Sequence, residues 1–171
     1  MNKHGPCILS IIGVSDSGKT TLILKILPEL RKKGMKVAVA KHCPRGFDLD
    51  VKGKDSWRFS HAGGEGIYLS SGKDEAVIRP KNESVRLKEK LKTLFPDFDI
   101  VLLEGYSDEQ GINKIQIIRK KIGGHILDSN DILAYISDMS IDTDKPIFAP
   151  DNISAIVSFM VKQKHEKRRT K

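Results

Sequence analysis

Cysteine, aromatic residues and long apolar runs are all scarce in this chain of 171 residues. Its two cysteines, Cys7 and Cys43, are too few for a disulfide framework, and their spacing matches no zinc site. No apolar run approaches the roughly 20 residues that span a bilayer, and the N-terminus lacks the apolar core of a secretory signal. We therefore expect a cytoplasmic protein with no membrane partner.

Positive charge is in excess, since 30 Lys and Arg residues against 22 Asp and Glu give a formal net charge of +8. Such an excess favours an anionic partner, either a nucleic acid or a phosphorylated small molecule. Much of it lies in residues 162–171, which hold six basic residues against one acidic residue. We predict that this segment is a frayed, solvated tail. Because aromatic residues make up only 6% of the chain, base-stacking platforms are not evident, and nucleic acid is not the expected partner.

Segments typical of strands and helices alternate along the chain. Apolar runs at Cys7–Ile12, 36–41 and 99–104 predict buried parallel strands. Apolar residues recur at helical spacing from Leu22 to Leu30, and Pro28 inside that segment predicts a kink or an early end. Residues 114–119 alternate in polarity, which predicts a half-exposed strand.

The remaining segments complete an α/β pattern. Two short runs separated by a turn predict a β-hairpin, and two further runs predict strands near the C-terminus. These elements are the hairpin strands Ile67–Ser70 and 76–78, the strands 132–136 and Ile147–Phe148, and the helices Asp55–His61, 87–95 and 153–161. We predict one domain over residues 1–171, with three α/β/α layers, a mostly parallel sheet and an inserted β-hairpin region.

Residues 13–20 fit the P-loop pattern G-x-x-x-x-G-K-[ST] at every fixed position, with an apolar strand before them and a helical segment after them. Backbone amides and the helix N-terminus bind phosphate oxygens in such a loop. Lys19 supplies a point charge for the β- and γ-phosphates, and the Thr20 hydroxyl is a ligand for Mg²⁺. The predicted nucleotide-binding residues are Gly13, Ser15, Asp16, Ser17, Gly18, Lys19, Thr20 and Thr21. The fold class is therefore a P-loop NTPase.

Acidic residues at strand ends are candidates to complete the site, because ligands of parallel sheets bind at the carboxyl ends of the strands. Glu104 ends the strand 99–104 and is predicted to bind Mg²⁺ or a water molecule, whereas Asp99 begins that strand and is predicted to be structural. Asp50 and Asp55 lie in the long loop that starts at the same edge, so they are candidates to assist Mg²⁺ or position water. A solvated turn with local caps remains an open alternative for both.

Three further residues lie at the same edge of the predicted sheet. Lys41 and His42 end the second strand, where Lys41 is a candidate to contact a phosphate of the nucleotide or of a second ligand. A lone histidine such as His42 is more often a hydrogen-bonded structural group than a catalytic one. The guanine-reading Asn-Lys-x-Asp pattern is absent, but Asp138 follows the strand 132–136 and is a candidate to accept hydrogen bonds from a guanine edge. The motif by itself predicts a nucleoside triphosphate and leaves its base open.

Taken together, these residues resemble the molybdopterin-guanine dinucleotide biosynthesis protein B (MobB) family, from about residue 8 to residue 160. The most specific signal is the stretch 53–58, placed after Lys41-His42. The other segments that carry the resemblance are 13–21, 47–50, 62–63, 99–105 and the strand 114–119. Two features differ. The family usually has a second histidine shortly after the one that matches His42, and this chain has Cys43-Pro44-Arg45 there. A basic residue often follows the Glu-Gly-aromatic run of the family, whereas this chain has Tyr106-Ser107.

The resemblance implies a GTP-binding accessory protein, with Mg²⁺, whose partner enzyme attaches GMP to molybdopterin. It implies at most slow GTP hydrolysis, a homodimer, and molybdopterin or its guanylyltransferase as the partner. The nucleotide region then includes Gly18, Lys19, Thr20, Glu104, Asp50 and Asp55, of which the three acidic residues are the catalytic candidates. Two other functions remain open: a small-molecule kinase on the same scaffold, and a nucleic-acid-binding ATPase supported mainly by the charge of +8.

Overall fold

The computed structural model of the protein describes residues 5–48, 50–81 and 83–169. The chain divides into two compact units. The core unit comprises Met1–His42 and Leu87–Lys171, and the inserted unit comprises Cys43–Arg86. That residues 1–171 act as one nucleotide-binding domain stays a prediction.

The elements follow the predicted alternation closely. The strands are β1 Cys7–Ile12, β2 Val37–Lys41, β3 Ile67–Ser70, β4 Glu75–Ile78, β5 Ile100–Glu104, β6 Asn113–Ile118, β7 Ile132–Ser137 and β8 Ile147–Phe148. The helices are α1 Lys19–Lys32, α2 Asp55–His61, α3 Leu87–Leu94 and α4 Ile153–Arg169. No helix in the described part of the chain is long and apolar enough to cross a membrane.

The core unit is built on a six-stranded sheet in the order β2-β5-β1-β6-β7-β8, in which all neighbours are parallel. Helices α1 and α4 cover one face, through residues such as Ile26 and Val157, and α3 covers the other through Leu91. Strand β1 is buried along its whole length, because helices cover both faces of the sheet. The predicted three-layer α/β/α fold with a mostly parallel sheet is confirmed.

Strand β6 is buried rather than half-exposed, so the prediction for residues 114–119 is wrong in this respect. Its polar side chains make their hydrogen bonds inside the protein. The Lys114 ammonium donates to the Glu109 carbonyl at 2.6 Å and contacts Asp131 at 3.3 Å, and the Gln116 side chain donates to His125 and accepts from the Leu127 amide. Polar alternation does not expose a strand whose polar groups are satisfied in this way.

Helix α1 continues through Pro28 to Lys32, so of the two predicted effects the early end is wrong, and a kink at Pro28 stays a prediction. Proline removes the hydrogen bond to the carbonyl of Leu24, and Leu24 lies on the exposed side of the helix, where 64% of the residue is accessible. Ile26 and Leu30, which flank Pro28, are fully buried and hold the helix on the sheet. Tertiary packing thus overrides the local cost of the proline.

The predicted frayed tail is wrong from residue 162 to residue 169, because α4 extends to Arg169. Residues 170 and 171 lie outside the described residues. The Lys164 side chain is only 7% exposed, and its ammonium bonds to the carboxylate of Asp99. The other Asp99 oxygen accepts the Lys36 amide at 2.9 Å. Asp99 therefore joins α4 to the amino ends of the strands, in agreement with its predicted structural role.

The inserted unit contains α2 and the hairpin of β3 and β4, which pair antiparallel from Ile67 opposite Ile78 to Ser70 opposite Glu75. The Ser71 hydroxyl caps the turn by accepting the amides of Lys73 and Asp74. The predicted hairpin is confirmed. Ile67 is the one residue among the described part of this unit that is classed as buried, so the unit has a very small core of its own.

Candidate nucleotide-binding site

The loop between β1 and α1 has a backbone shape that glycine alone fits at its first position. Gly13 has a φ of 151°, and a Cβ there would lie 2.7 Å from the Ser17 hydroxyl oxygen and 2.8 Å from the Ile117 carbonyl oxygen. Gly18 has a φ of 93° and directly precedes α1. Asp16 adopts a φ of 59°, which is uncommon for a residue other than glycine, although Asp is among the residues that adopt it most readily.

Helix α1 presents its N-terminus directly behind this loop. The Leu22 amide donates to the Gly18 carbonyl at 2.9 Å, at the start of the intrahelical ladder. The amides of Lys19, Thr20 and Thr21 precede it in the first turn and have no intrahelical acceptor. Unpaired amides and the helix dipole together favour an anion at this position.

Lys19 is folded back over the loop. Its ammonium donates to the carbonyls of Gly13 at 2.9 Å and Val14 at 2.7 Å. A cavity of about 360 Å³ adjoins it, lined by Ser15, Asp16, Gly18, Lys19, Thr20, Thr21 and Glu104. The structure therefore brings together at one cavity all the predicted P-loop residues except Gly13 and Ser17, and it adds Glu104.

Glu104 connects the first turn of α1 to the end of β2. The Thr20 hydroxyl donates to Glu104 Oε1 at 2.7 Å, and the Lys41 ammonium lies 3.3 Å from the same oxygen. Strand pairing explains this arrangement, since Lys41 is directly opposite Glu104 on adjacent parallel strands. A hydroxyl and a carboxylate oxygen side by side are the hard donors that Mg²⁺ prefers, so these residues fit a magnesium ion.

The turn after Glu104 is fixed by the backbone on both sides. The Gly105 amide donates to the Ile11 carbonyl, and the His42 amide donates to the Glu104 carbonyl, both at 3.0 Å. Tyr106 has a φ of 60°, its hydroxyl donates to the Lys41 carbonyl at 3.4 Å, and its ring packs on His42 with centroids 5.1 Å apart. The His42 ring therefore has a packing role at this edge, which favours the structural interpretation of that residue.

A second cavity, of about 290 Å³, lies on the other side of the loop. It is lined by Asp16, Ser17, Gly18, Thr21, Leu22, Lys25, Ile117, Arg119, Lys121, Ile122, Ile136, Asp138 and Pro150. The Ser17 hydroxyl in its wall is buried and has no hydrogen-bond partner among the described residues. The lining combines apolar side chains with polar and charged groups that converge on the same space, which is a combination that small-molecule sites use.

Asp138 and Arg119 supply the polar side of this second cavity. Asp138 Oδ1 accepts the Lys120 amide at 2.7 Å, and Oδ2 lies 3.7 Å from Arg119 Nη1. Arg119 Nε also donates to the Ser17 carbonyl at 3.3 Å. Sequence reasoning predicted Asp138 but missed Arg119, which follows β6 at the carboxyl edge. The strand-end rule that selected Glu104 applies equally to Arg119.

Asp50 and Asp55 lie in the inserted unit, where each makes local contacts. Asp50 Oδ1 accepts the Val51 amide at 2.8 Å and the Ser56 hydroxyl at 2.9 Å. Asp55 is the first residue of α2 rather than its cap, and it lies 3.5 Å from Arg58 with both side chains well exposed. These contacts match a solvated turn, and a role for either residue with the nucleotide stays a prediction.

No three His, Cys, Asp or Glu side chains gather into a metal centre in the described ranges 5–48, 50–81 and 83–169. Thr20 and Glu104 are thus a pair of possible Mg²⁺ ligands, and the predicted part of Asp50 in the same metal site stays a prediction. Mg²⁺ commonly binds to nucleotide sites with one or two protein ligands.

The family model for molybdopterin guanine dinucleotide synthesis protein B (MobB) matches residues 8–138. The chain belongs to the MobB family. The match spans the loop, Lys41, Glu104 and Arg119, and it ends at Asp138. The family resemblance predicted from the sequence is confirmed.

Two curated relatives and one solved structure agree with this assignment. The MobB relative from Haemophilus influenzae, a molybdopterin-guanine dinucleotide biosynthesis adapter protein, is 32% identical over 94% of this chain and 90% of its own length. The adapter protein of Escherichia coli is 26% identical over 90% and 91% of the two chains. The crystal structure of molybdopterin-guanine biosynthesis protein B (mobB) superposes with a TM-score of 0.70 at 31% identity, covering 91% of this chain and 98% of that one.

Proposed function

We propose that this MobB-family protein is a cytoplasmic, GTP-binding adapter in molybdenum cofactor biosynthesis. It supports the attachment of GMP to molybdopterin by a guanylyltransferase partner and hydrolyses GTP slowly at most. The observation that carries the proposal is the joining of two cavities by one P-loop, with Thr20 and Glu104 on one side and Asp138 on the other. The adapter function of the relatives that match along almost the whole chain supports it.

The phosphates bind at the loop, where the amides of the first turn of α1 and the Lys19 ammonium supply positive charge. Thr20 and Glu104 would hold Mg²⁺, which would supply positive charge to neutralise the phosphates. The Lys19 ammonium exchanges the carbonyls of Gly13 and Val14 for phosphate oxygens, which are stronger acceptors because they are charged.

The guanosine occupies the second cavity, with the guanine edge near Asp138. A carboxylate accepts hydrogen bonds from the two neighbouring N–H groups of guanine, whereas adenine presents a single amino donor beside an acceptor nitrogen. The Lys120 amide orients Asp138 for this task by bonding to one of its oxygens. Asp138 is therefore the residue that selects GTP over ATP.

Slow hydrolysis is expected because Glu104, the carboxylate nearest the phosphate cavity, already has another role in the site. Glu104 is assigned to Mg²⁺ together with Thr20, and a carboxylate that binds the cation is poorly placed to take a proton from an attacking water. Asp50 and Asp55 are the remaining acidic candidates for positioning water. An adapter that carries a nucleotide to a partner has no need of fast turnover.

A homodimer formed through the inserted unit is part of the proposal. Its hairpin and α2 expose large apolar side chains, among them Tyr68 at 63%, Val77 at 60% and Phe59 at 62%. An isolated two-stranded hairpin is marginally stable in water, and contiguous exposed apolar surface usually marks an interface. Light scattering of the purified protein tests this, since a monomer at micromolar concentration would contradict it.

Calorimetric titration tests nucleotide binding. We expect the wild-type protein to bind GTP with Mg²⁺ at least tenfold more tightly than ATP, and Lys19→Ala to abolish this binding. Lys33→Ala, at the far end of α1, is the matched control and should bind like the wild type. Equal affinity for ATP and GTP would contradict the assignment of the base.

A measurement of product yield tests the link to molybdopterin. In a reaction that contains molybdopterin and a guanylyltransferase of this biosynthetic route, adding the wild-type protein should raise the yield of guanine dinucleotide. Lys19→Ala should lose this stimulation, and Lys33→Ala should keep it. A yield that the wild-type protein leaves unchanged would contradict the adapter role while leaving GTP binding intact.

A further inference from the structure

We propose that Lys41 distinguishes a nucleoside triphosphate from a diphosphate, by exchanging Glu104 for the γ-phosphate when Glu104 and Thr20 engage Mg²⁺. The proposal rests on the nucleotide-binding function above and assigns to that site a residue that senses the terminal phosphate. The observation behind it is that a single oxygen, Glu104 Oε1, lies within 2.7 Å of the Thr20 hydroxyl oxygen and 3.3 Å of the Lys41 ammonium.

The strand order sets the direction in which a nucleotide would lie across the carboxyl ends of the strands. The second cavity lies at β6 and β7, the P-loop follows β1, and Lys41 ends β2, two strands beyond β1 in the order β2-β5-β1-β6-β7. Neighbouring strands are about 4.8 Å apart, so Lys41 lies about 10 Å from the P-loop strand on the side away from the base. The terminal phosphate is the part of the nucleotide that extends towards Lys41.

The backbone of Lys41 is fixed, while its side chain has room to move. Its carbonyl accepts the Tyr106 hydroxyl, and the next residue, His42, donates its amide to Glu104. The Lys41 side chain is 56% exposed, whereas that of Glu104 is 13% exposed. A flexible four-carbon stem on a fixed backbone lets the ammonium change acceptor at little cost.

Binding of the cation to Glu104 would weaken the attraction between the Glu104 carboxylate and the Lys41 ammonium. When Glu104 turns Oε1 to Mg²⁺, its negative charge is largely neutralised, and the attraction to the ammonium weakens accordingly. The Thr20 hydroxyl would turn a lone pair to the same cation while its O–H stays available as a donor to a carboxylate oxygen. A γ-phosphate then offers Lys41 a charged acceptor, whereas a diphosphate leaves that position to water.

The test compares affinities for GDP and for a non-hydrolysable GTP analogue with an imido bridge, with and without Mg²⁺. Lys41→Met keeps the length of the stem and removes the charge. We expect it to bind the analogue with Mg²⁺ about tenfold more weakly than the wild type, with unchanged affinity for GDP. Without Mg²⁺ the two proteins should differ by less than about threefold, because Lys41 then stays with Glu104.

Two further variants make the result specific to this position. Lys36→Met removes an exposed lysine that immediately precedes β2, at the opposite end of that strand from Lys41. This variant should bind both ligands like the wild type. Lys41→Arg keeps the charge and should restore most of the preference for the analogue. Thermal unfolding midpoints within about 2 °C of the wild type would show that each variant is folded.

Two outcomes are decisive and distinguishable. If Lys41→Met keeps the wild-type ratio of analogue to GDP affinity, or loses affinity for both ligands equally, the role of Lys41 is wrong while the nucleotide-binding function stands. If the wild-type protein binds neither ligand with Mg²⁺, the proposed function itself is wrong.

Discussion

Arg119 bridges the P-loop and Asp138. Its Nε donates to the Ser17 carbonyl at 3.3 Å, and its Nη1 lies 3.7 Å from Asp138 Oδ2. One side chain after β6 thus contacts both the segment assigned to phosphate and the residue assigned to guanine. The two contacts tie the P-loop to the end of β7, next to which Asp138 lies.

Asp138→Asn should change the base preference of the protein. The amide oxygen can still accept the Lys120 amide, so the loop should keep its shape. The new NH₂ group repels the guanine N–H donors and complements the carbonyl of xanthine, so affinity for GTP should fall about tenfold or more while affinity for XTP rises. Titration with GTP, XTP and ATP measures this.

The matched control for that substitution is Asp142→Asn, which changes an exposed carboxylate outside the residues that line the cavity. It should leave all three affinities within about twofold of the wild type. An Asp138→Asn protein that still prefers GTP over XTP would show that the guanine edge is read elsewhere.

Gly13→Ala should destabilise the fold and abolish nucleotide binding. The new methyl group would lie 2.8 Å from the Ile117 carbonyl oxygen, which belongs to the buried β6 and cannot easily move. Gly34→Ala is the control, because Gly34 also has a positive φ, of 74°, but no atom lies within 4 Å of its added Cβ. Backbone strain alone should cost about 1–2 kcal/mol there, and Gly13→Ala should cost about 1–3 kcal/mol more.

Urea unfolding of the two variants measures this difference. Equal losses of unfolding free energy would show that φ strain, rather than the contact with Ile117, sets the requirement for glycine at residue 13.

Lys164→Met should destabilise the protein by about 3–5 kcal/mol, because it leaves the Asp99 carboxylate without its buried partner. The double substitution Asp99→Asn with Lys164→Met should recover part of the loss, since no charge then remains unpaired. Denaturant unfolding measures both values. Nucleotide affinity should not change under native conditions, because Asp99 and Glu104 lie at opposite ends of β5. A matching loss of GTP affinity would contradict this separation.

The Asp131 carboxylate should make the protein more stable above pH 3.8 than below it. Partial burial acts to raise the pKa of Asp131, but the Gly111 amide and the Lys114 ammonium outweigh burial and lower the pKa below its ordinary value of 3.8. With the folded pKa below the unfolded one, the stabilisation is fully present above pH 3.8 and is lost as the pH falls through the folded pKa.

Comparison with Asp131→Asn isolates this contribution. The wild type should be more stable than the variant at pH 6, and the difference should shrink as the pH falls below 3.8. A difference that stays constant down to pH 2 would mean that Asp131 stabilises the fold without any change in its pKa.

The residues of the phosphate side were predictable because the relevant rules are local. A tight turn needs glycine, and a helix start supplies amides, so residues 13–20 specify their own structure. Glu104 was found by position at a strand end. Arg119 lies at a strand end as Glu104 does, so the same rule could have selected it, but the strand order β1-β6-β7 that brings it beside the P-loop is not written in any one segment. Lys25 was missed because the cavity that it lines exists only once these strands are neighbours.

Burial of charged residues was the second limit of prediction. Lys114 alternates with apolar neighbours, and Lys164 lies in a basic run, so both sequence contexts indicate exposure. Each is nonetheless buried, because a carboxylate from a distant part of the chain pairs with it. Residues separated by 65 positions, such as Asp99 and Lys164, cannot be paired from local pattern.

The sequence by itself determined the alternation of strands and helices, the phosphate-binding loop and the family, since each depends on the spacing of residues close together in the chain. The tertiary structure decided which side chains share one oxygen of Glu104, where a base-sized cavity forms, and that the C-terminal basic run continues as a helix. Those outcomes depend on which strands become neighbours, and that is set by the packing free energy of the whole sheet rather than by any local preference.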